Sequence, residues 1–439
     1  MQSIQSRTLN LVLAGGRGER LQPLTHQKPK PLVSFGGIYR IIDFTLSNCV
    51  NSQLSKICIL TQYRHDAMKS YIREGWNRFS GKVSKDGDCP VCLPPSREGP
   101  YRGTADAVFQ NIDLLRRDKL DFVLILSGDH VYHMDYTDLI RRHADTGADV
   151  TIAAIKQPIQ TAYQFGVLET DGRRRGVGFQ EKPIVAKSLP GDPSMAFVSM
   201  GVYVFTTEVL TRALIEDAAG DGSHDFGKNI IPKLIGPRRA YAYDFHDRAI
   251  GGSSYWRDVG TLDSYYETSM DILGPDPFFD PYSSAAWPTH PLGARQLHKR
   301  STRASDSRVC GDARMYGGRV RRSVVGPGVL VNRSADIDGC VIMPGASIGA
   351  GASIRRAIVG ENVSVPAHAV VGYDREKDRE RFLVTERGIV VITANNKEDY
   401  RTFRQTDIQR ESHFSRPRSC EDSEQRIGSV SLAIPASVR

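Results

Sequence analysis

"LVLAGGRGERLQPLTHQKPKPLV", Leu11 to Val33, sets a glycine-rich turn directly after an apolar run and then scatters Arg and Lys through the residues that follow. An apolar run that stops at a tight glycine turn is the signature of a buried strand at its carboxyl end, the place where α/β sheets gather ligands. Three more runs of this kind follow: "KICILTQY", "FVLILSGD" and "DVTIAAI". Helical patterns separate them, so the chain is expected to be α/β, with a Rossmann-like, mostly parallel sheet covered on both faces. Both "GGRG" and "SGDH" fall at strand ends. Residues 104–115 read as one amphipathic helix, with Val108, Ile112 and Leu115 on a common face and Thr104 as its cap.

The glycine turn admits three phosphate-binding readings. A Walker A loop needs Lys-Ser or Lys-Thr at a spacing that is missing here, and a dinucleotide fingerprint meets Leu21 where its third glycine should stand. What remains is a turn through Gly15, Gly16 and Gly18 whose backbone amides wrap a triphosphate. Arg17 and Arg20 bring charge to that turn, and Lys30 adds a further cation.

After Gly274 the pattern breaks into "PDPFFDPYSSAAWPTHPLG", whose prolines forbid long helices and central strands. An interdomain linker over residues 275–300 is expected there, behind a catalytic domain spanning 1–274. From Val324 a six-residue period takes over: Val324, Leu330, Ile342, Ile348 and Ile354 with a miss at Asp336, then Val359, Val365 and Val371 after a slip of one. Apolar repeats of six with small residues between them predict a left-handed parallel β-helix over 301–393. The remaining residues, 394–439, are rich in Arg, Ser, Asp and Glu and read as a mobile tail.

A length of 439 residues favours two domains. The net charge of +8 suits polyanionic partners such as phosphorylated metabolites, nucleic acid or an acidic surface. Nucleic acid is disfavoured because neither a recognised fold nor aromatic interleaving accompanies the charge. Seven thinly spread cysteines argue against a disulfide framework. Cys89 and Cys92 form one C-x-x-C, but no second pair or His cluster completes a zinc site, and the plain reading is two loop or strand cysteines. With neither a signal-like N-terminus nor an apolar run of membrane length, a cytoplasmic enzyme is expected, with no membrane partner.

"LAGGRGERLQPLT" with "KPL" resembles the signature of the sugar-1-phosphate nucleotidylyltransferases. "YRIIDFTLSNC", "YRGTADA", "GDHVY", "SHDFGK" and "YWRDVGT" resemble the branch called glucose-1-phosphate adenylyltransferase, or ADP-glucose pyrophosphorylase. The likeness runs from about residue 9 to residue 393. It implies that ATP and glucose 1-phosphate give ADP-glucose and pyrophosphate, the sugar phosphate oxygen attacking the α-phosphorus. Two polyanions must then meet, so positioning and charge neutralisation carry the reaction. In the family's pattern Arg17 and Lys30 serve the triphosphate, while Asp129 and Asp258 hold Mg²⁺, whose preference for oxygen ligands they meet. The same resemblance assigns Gly166, Glu181, Lys182 and Ser199 to glucose 1-phosphate. Tyr101, Gly103 and Thr104 precede the amphipathic helix, so its N-terminus is expected to face the nucleotide, with the glycine letting the backbone approach; Gln62 is a further candidate for the nucleotide side, or else a relay of regulatory changes. It further implies a homotetramer with contacts on the β-helix.

Bacterial relatives bind a phosphorylated activator through a basic pair and a histidine near the lysine of the glycine-loop signature, together with an arginine. Here those positions hold Gln27, Lys28 and Ser34, while Arg40 is kept; the family's tryptophan before "YRGTADA" is Pro100. Losing a cation and a histidine weakens anion binding, so an altered choice of effector is expected. Arg355 and Arg356 offer a second set of cations for an effector, or simply solubilising charge. Other readings are an enzyme of the same superfamily using UTP, dTTP or GTP, an acyltransferase built on His368 of the repeats, and a catalytically silent regulatory subunit. The branch-specific blocks and the retained Arg17, Asp129, Lys182 and Asp258 speak against them.

Overall fold

The protein is represented by a computed structural model that describes residues 3–76, 79, 90–96, 99–116, 120–245, 255–292 and 304–394. Cys89 and the tail from residue 395 lie outside the described residues.

The opening apolar run is the strand Thr8–Leu13, central in a nine-stranded sheet. It pairs in parallel with Ile57–Leu60 on one side and Phe122–Ser127 on the other, so that Leu11 lies between Cys58 and Ile125. Leu11 and Val12 point into different apolar clusters, one on each face, and both are fully buried. Burial on two faces is why such a strand reads as continuous rather than alternating. Val91–Leu93 extends the parallel part. Beyond Phe122–Ser127 the sheet turns mixed, because the long strand Met195–Thr206 runs antiparallel to it and to both Val150–Pro158 and Gly166–Thr170. Ala240–Asp244 returns parallel to Val150–Pro158, and Gly176–Glu181 closes a hairpin on Gly166–Thr170.

The helix expected over 104–115 is instead two pieces, Thr104–Phe109 and Asp113–Arg116. Between them the Asn111 amide turns back to the Ala107 carbonyl at 2.9 Å and to the Tyr101 hydroxyl at 3.1 Å, a local side-chain bond that competes with helix continuation. Thr104 does not cap the helix either. Gly103 occupies the N-cap, and the Thr104 hydroxyl faces Asp225.

The proline-rich segment is irregular but firmly docked. Its Trp287 indole donates to the Asn48 side chain at 2.8 Å, His290 N–H to the Ser47 hydroxyl at 2.8 Å, and its Pro281 carbonyl accepts from the Tyr39 hydroxyl at 2.9 Å. It thereby straps the buried helix Ile42–Asn51.

From Ala304 onward, short parallel strands coil around an apolar interior. After a first turn of 16 residues, with Arg308 beside Val324 and Arg314 beside Leu330, the coil repeats every 17, as in Val325 over Ile342 over Val359, or Val331 over Ile348 over Val365. The inward series is therefore Val325, Val331, Ile337, Ile342, Ile348 and Ile354, one residue later at its start than the spacing from Val324 suggests. That shift removes the apparent miss at Asp336, since Ile337 is the inward side chain. Val324 is apolar for a different reason: with Val341, Ile358 and Val391 it forms an outward ladder pressed against Val33, Phe35 and Tyr265 of the catalytic domain.

Candidate active site

The glycine turn begins where strand Thr8–Leu13 ends, and neighbouring strand ends tie it down: Ala14 N–H donates to the Leu60 carbonyl at 2.9 Å and Gly128 N–H to the Leu13 carbonyl at 3.0 Å. Gly18 sits at φ +66°, and a Cβ there would fall 2.7 Å from the Lys30 Cβ, so both backbone and space demand glycine. Gly16 faces open space. A cleft of about 500 Å³ opens over the turn, lined by Arg17, Arg20, Lys30, Gln62 and Asp129 among others. Arg17 reaches over the Tyr63 ring, 5.9 Å from its centroid.

Lys30 lies in the short turn Lys30–Leu32 and is only 7% exposed. Its ammonium donates to Asp129 Oδ2 at 2.8 Å and to Asp258 Oδ1 at 2.9 Å. Asp129 follows the central strand Phe122–Ser127; Asp258 ends the strand Trp256–Asp258, which pairs with His130–Tyr132 so that Asp258 lies opposite His130. His130 Nε2 stands 3.6 Å from Asp129 and 3.9 Å from Asp258. Burial by itself would raise both carboxyls, but the Lys30 ammonium and then His130 hold them below the usual carboxylate range. For Lys30, burial would lower the ammonium and the two carboxylates reverse it, leaving it above the ordinary lysine value.

Glu181 ends its strand beside two glycines: a Cβ at Gly166 would come within 2.8 Å of its Oε2 and one at Gly227 within 2.6 Å. Burial raises the Glu181 carboxyl, with Lys182 opposing from 3.6 Å. Ser199 precedes an irregularity in the long strand, bonds the Tyr203 hydroxyl at 3.0 Å, and accepts from Gly201 N–H at 3.3 Å. This bulge touches the corner of Asp129 and His130, since a Cβ on Gly201 (φ +67°) would meet Ser127 Oγ at 2.4 Å and His130 Cε1 at 3.2 Å. Lys182 is joined to the same corner through Phe165, whose carbonyl accepts from Lys182 N–H at 3.0 Å and whose ring lies 5.5 Å from that of Trp256.

Gln62 Oε1 accepts from Tyr101 N–H, coupling the cleft to the segment that carries Gly103 and Thr104. Gly103 is glycine because of the chain beside it: a Cβ would strike the Ser223 and His224 carbonyls at 2.2 and 2.4 Å. Thr104 Oγ1 donates to Asp225 Oδ2 at 2.9 Å and accepts from Phe226 N–H at 3.0 Å. The four cations expected to hold an effector do not share a place. Lys28 and Arg40 meet Glu361, whereas Arg355 and Arg356 line a separate cavity of about 710 Å³ with Arg322 and Arg387. Sequence reasoning missed Glu361, Asp225 and His130. The last two lie inside quoted blocks, but Glu361 has no local signal.

Residues 9–274 match the nucleotidyl transferase family, and residues 293–392 the GlmU-like C-terminal hexapeptide family. Glucose-1-phosphate adenylyltransferase 2 of Alkalilimnicola ehrlichii is 43% identical over 402 residues, 88% of this chain and 94% of that protein. The glucose-1-phosphate adenylyltransferase of Koribacter versatilis is 43% identical over 412 residues, covering 90% of this chain and 96% of its own, and that of Corynebacterium jeikeium 40% identical over 404, covering 89% and 98%. The chain belongs to the glucose-1-phosphate adenylyltransferases. It is thus a nucleotidyltransferase, and the coil of its hexapeptide domain is a left-handed β-helix. Glucose-1-phosphate adenylyltransferases work with a divalent metal. The donor set fits one: ligand atoms of Asp129, His130 and Asp258 all lie within 4.8 Å of one another, and the carboxylates already gather around a cation, the Lys30 ammonium. No helix among the described residues is long and apolar enough to cross a membrane.

Proposed function

We propose that this chain transfers the adenylyl group of ATP to α-D-glucose 1-phosphate, giving ADP-glucose, the activated donor for α-glucan synthesis, and pyrophosphate. The observation that carries the reading is the meeting of Asp129 and Asp258 on Lys30 at the rim of the glycine cleft. The triphosphate lies along Gly15, Gly16 and Gly18, which line the cleft, and Arg17 folds onto its charge. Gln62 and the Tyr101–Thr104 segment shape the nucleotide side. Glu181 and Ser199 take sugar hydroxyls, with Gly166 leaving room for the Glu181 carboxylate, and Lys182 pairs with the sugar phosphate. A phosphate oxygen of the sugar attacks the α-phosphorus. The bond from that phosphorus to the bridging oxygen breaks, and pyrophosphate leaves with the electron pair. Mg²⁺, held by Asp129 and Asp258, would neutralise phosphate charge when bound. Lys30 keeps the two carboxylates ionised and aimed at one point.

A cytoplasmic enzyme is supported by Cys340, a cysteine buried inside the β-helix outside any disulfide. A homotetramer is supported by Tyr316, Val370 and Tyr373, half-exposed on the β-helix. The cavity with Arg355 and Arg356 is the place proposed for a phosphorylated metabolite. Fructose 1,6-bisphosphate proving the strongest activator in a panel of such metabolites would overturn the altered effector choice.

The test is pyrophosphate release from glucose 1-phosphate with ATP or UTP, with Mg²⁺ and after chelation. ATP is expected to be the better donor and chelation to abolish turnover. Asp129→Asn should lose at least about a hundredfold in kcat, the scale of one preorganised charge. A variant at full rate, or a preference for UTP, overturns the assignment.

A further inference from the structure

Glu361 belongs to the β-helix, at the turn after strand Ser353–Val359, yet every side chain it bonds comes from the catalytic domain. Its Oε2 pairs with the Lys28 ammonium. Its Oε1 accepts from the Ser34 hydroxyl at 2.8 Å and from Arg40 Nη1 at 2.8 Å. Two cations and a hydroxyl converging on one group make a receptor for an oxyanion. Burial would raise the Glu361 carboxyl, but Arg40 and Lys28 override it and bring it to about 2, so the group is ionised throughout the neutral range.

The receptor is also the frame of the segment that carries Lys30. Arg40 Nη1 donates to the Leu32 carbonyl at 2.9 Å, the Ser34 carbonyl accepts from the Tyr265 hydroxyl at 2.6 Å, and Lys28 lies two residues before Lys30. If the carboxylate is taken away, Lys28 and Arg40 are left as like charges in a partly buried site, and they repel. Such repulsion would act on the chain at both ends of the Lys30 turn, and Lys30 must stay within hydrogen-bond reach of two carboxylates.

We propose that Glu361 is a tethered anion: it fills an oxyanion receptor between the two domains and thereby positions the Lys30 segment, and when this carboxylate is removed the same receptor takes a free tetrahedral oxyanion such as inorganic sulfate. Tethering gives the carboxylate a high effective concentration, so the intact protein does not respond to the free ion. Glu361 is a positioning residue, acting through Lys28, Ser34 and Arg40. The activity readout rests on the adenylyl-transfer reading; the binding readout does not.

The test uses the full chain as wild type, Glu361→Ala, Glu361→Gln, which keeps the side-chain volume, and the double variant Lys28→Ala/Glu361→Ala. Each is titrated with sodium sulfate against sodium chloride at equal ionic strength, following both kcat and melting temperature. Glu361→Ala should lose about tenfold in kcat, an ordinary size for coupling between sites. Sulfate should restore most of that loss saturably and raise the melting temperature of the single variants, chloride should do neither, and wild type should be indifferent. The double variant should lose the sulfate response. Single variants that run at the wild-type rate without oxyanion, or whose melting temperature and rate ignore sulfate, overturn the proposal. If the wild type itself releases no pyrophosphate from ATP and glucose 1-phosphate, the adenylyl-transfer reading falls, while the melting response to sulfate still decides the receptor.

Discussion

Gly18 and Lys30 are in contact, so the phosphate turn and the carboxylate-binding lysine cannot be varied separately. In Gly18→Ala the new Cβ must sit 2.7 Å from the Lys30 Cβ at a backbone φ of +66°, a conformation costly to a residue with a side chain. The variant should lose about 1–3 kcal/mol of stability and at least about tenfold in kcat/KM. Gly16→Ala is the contrast: with nothing within 4 Å of its Cβ, the melting temperature should hold while the KM for ATP rises, because only the bound triphosphate needs that space. Equal melting losses in the two variants would contradict this. A second residue-scale effect is pH. His143, on the helix Tyr136–Thr146, is fully buried between the Thr151 and Thr206 hydroxyls, and burial lowers its pKa to about 4, as it does for His133. The unfolded chain takes up a proton near the ordinary histidine value of 6.5 and the folded chain only near 4, so stability is lost as pH falls between those values, by up to about 3 kcal/mol per histidine. Asp43 opposes them: burial lifts its carboxyl to about 6, so below that pH the folded chain gains a proton first. Two histidines outweigh one carboxyl. Calorimetry should therefore find the melting temperature falling from pH 7 to pH 5, and less steeply in His143→Gln.

At the scale of elements, the segments that quoted blocks mark as important are held by one another rather than by their own propensities. Thr104 has no capping bond within its helix; its hydroxyl instead joins that helix to the Asp225–Phe226 backbone turn, where Gly103 also rests against His224. Thr104→Val keeps the shape and removes both bonds, leaving Asp225 and Phe226 N–H short of a partner, and should cost about 1–3 kcal/mol. It should also weaken nucleotide binding, since Gln62 ties the Tyr101 end of that segment to the cleft. An unchanged melting temperature would show that the hydroxyl is idle. This dependence on neighbours explains what the sequence disclosed. The strand around Leu11 was legible because two-faced burial writes itself as an unbroken apolar run, and the glycine turn because few residues tolerate its backbone. The break at Asn111 was not, since a side-chain amide bonding back to Ala107 looks like any polar residue on a helix. The spacing alone puts the β-helix in the phase of Val324 because that face is also apolar, for contact with the other domain. The place of Glu361 depends on a partner more than three hundred residues away in the chain, which no local pattern records.

For the whole molecule, the consequence of that second apolar face is a core shared by both domains. Val324, Val341, Ile358 and Val391 of the β-helix lie in one cluster with Val33, Phe35, Tyr39, Tyr265 and Phe279. Polar ties surround it: the Tyr266 hydroxyl donates to the Gly339 carbonyl at 2.7 Å, Thr385 donates to Asp263, and Arg387 pairs with Glu267. Interdomain surfaces that are small and polar let domains melt separately, but a continuous apolar one links their unfolding. Wild type should therefore give a single calorimetric transition. Ile358 is fully buried in the shared cluster, and Ile358→Ala should cost about 2–5 kcal/mol, moving the loss of activity and the loss of β-helix structure down in temperature together. Ile348→Ala, inside the coil and away from the shared cluster, provides the comparison. If the two domains melt as one, both variants shift the same transition; if Ile348→Ala separates a β-helix transition from an unmoved catalytic one, the shared core does not couple them.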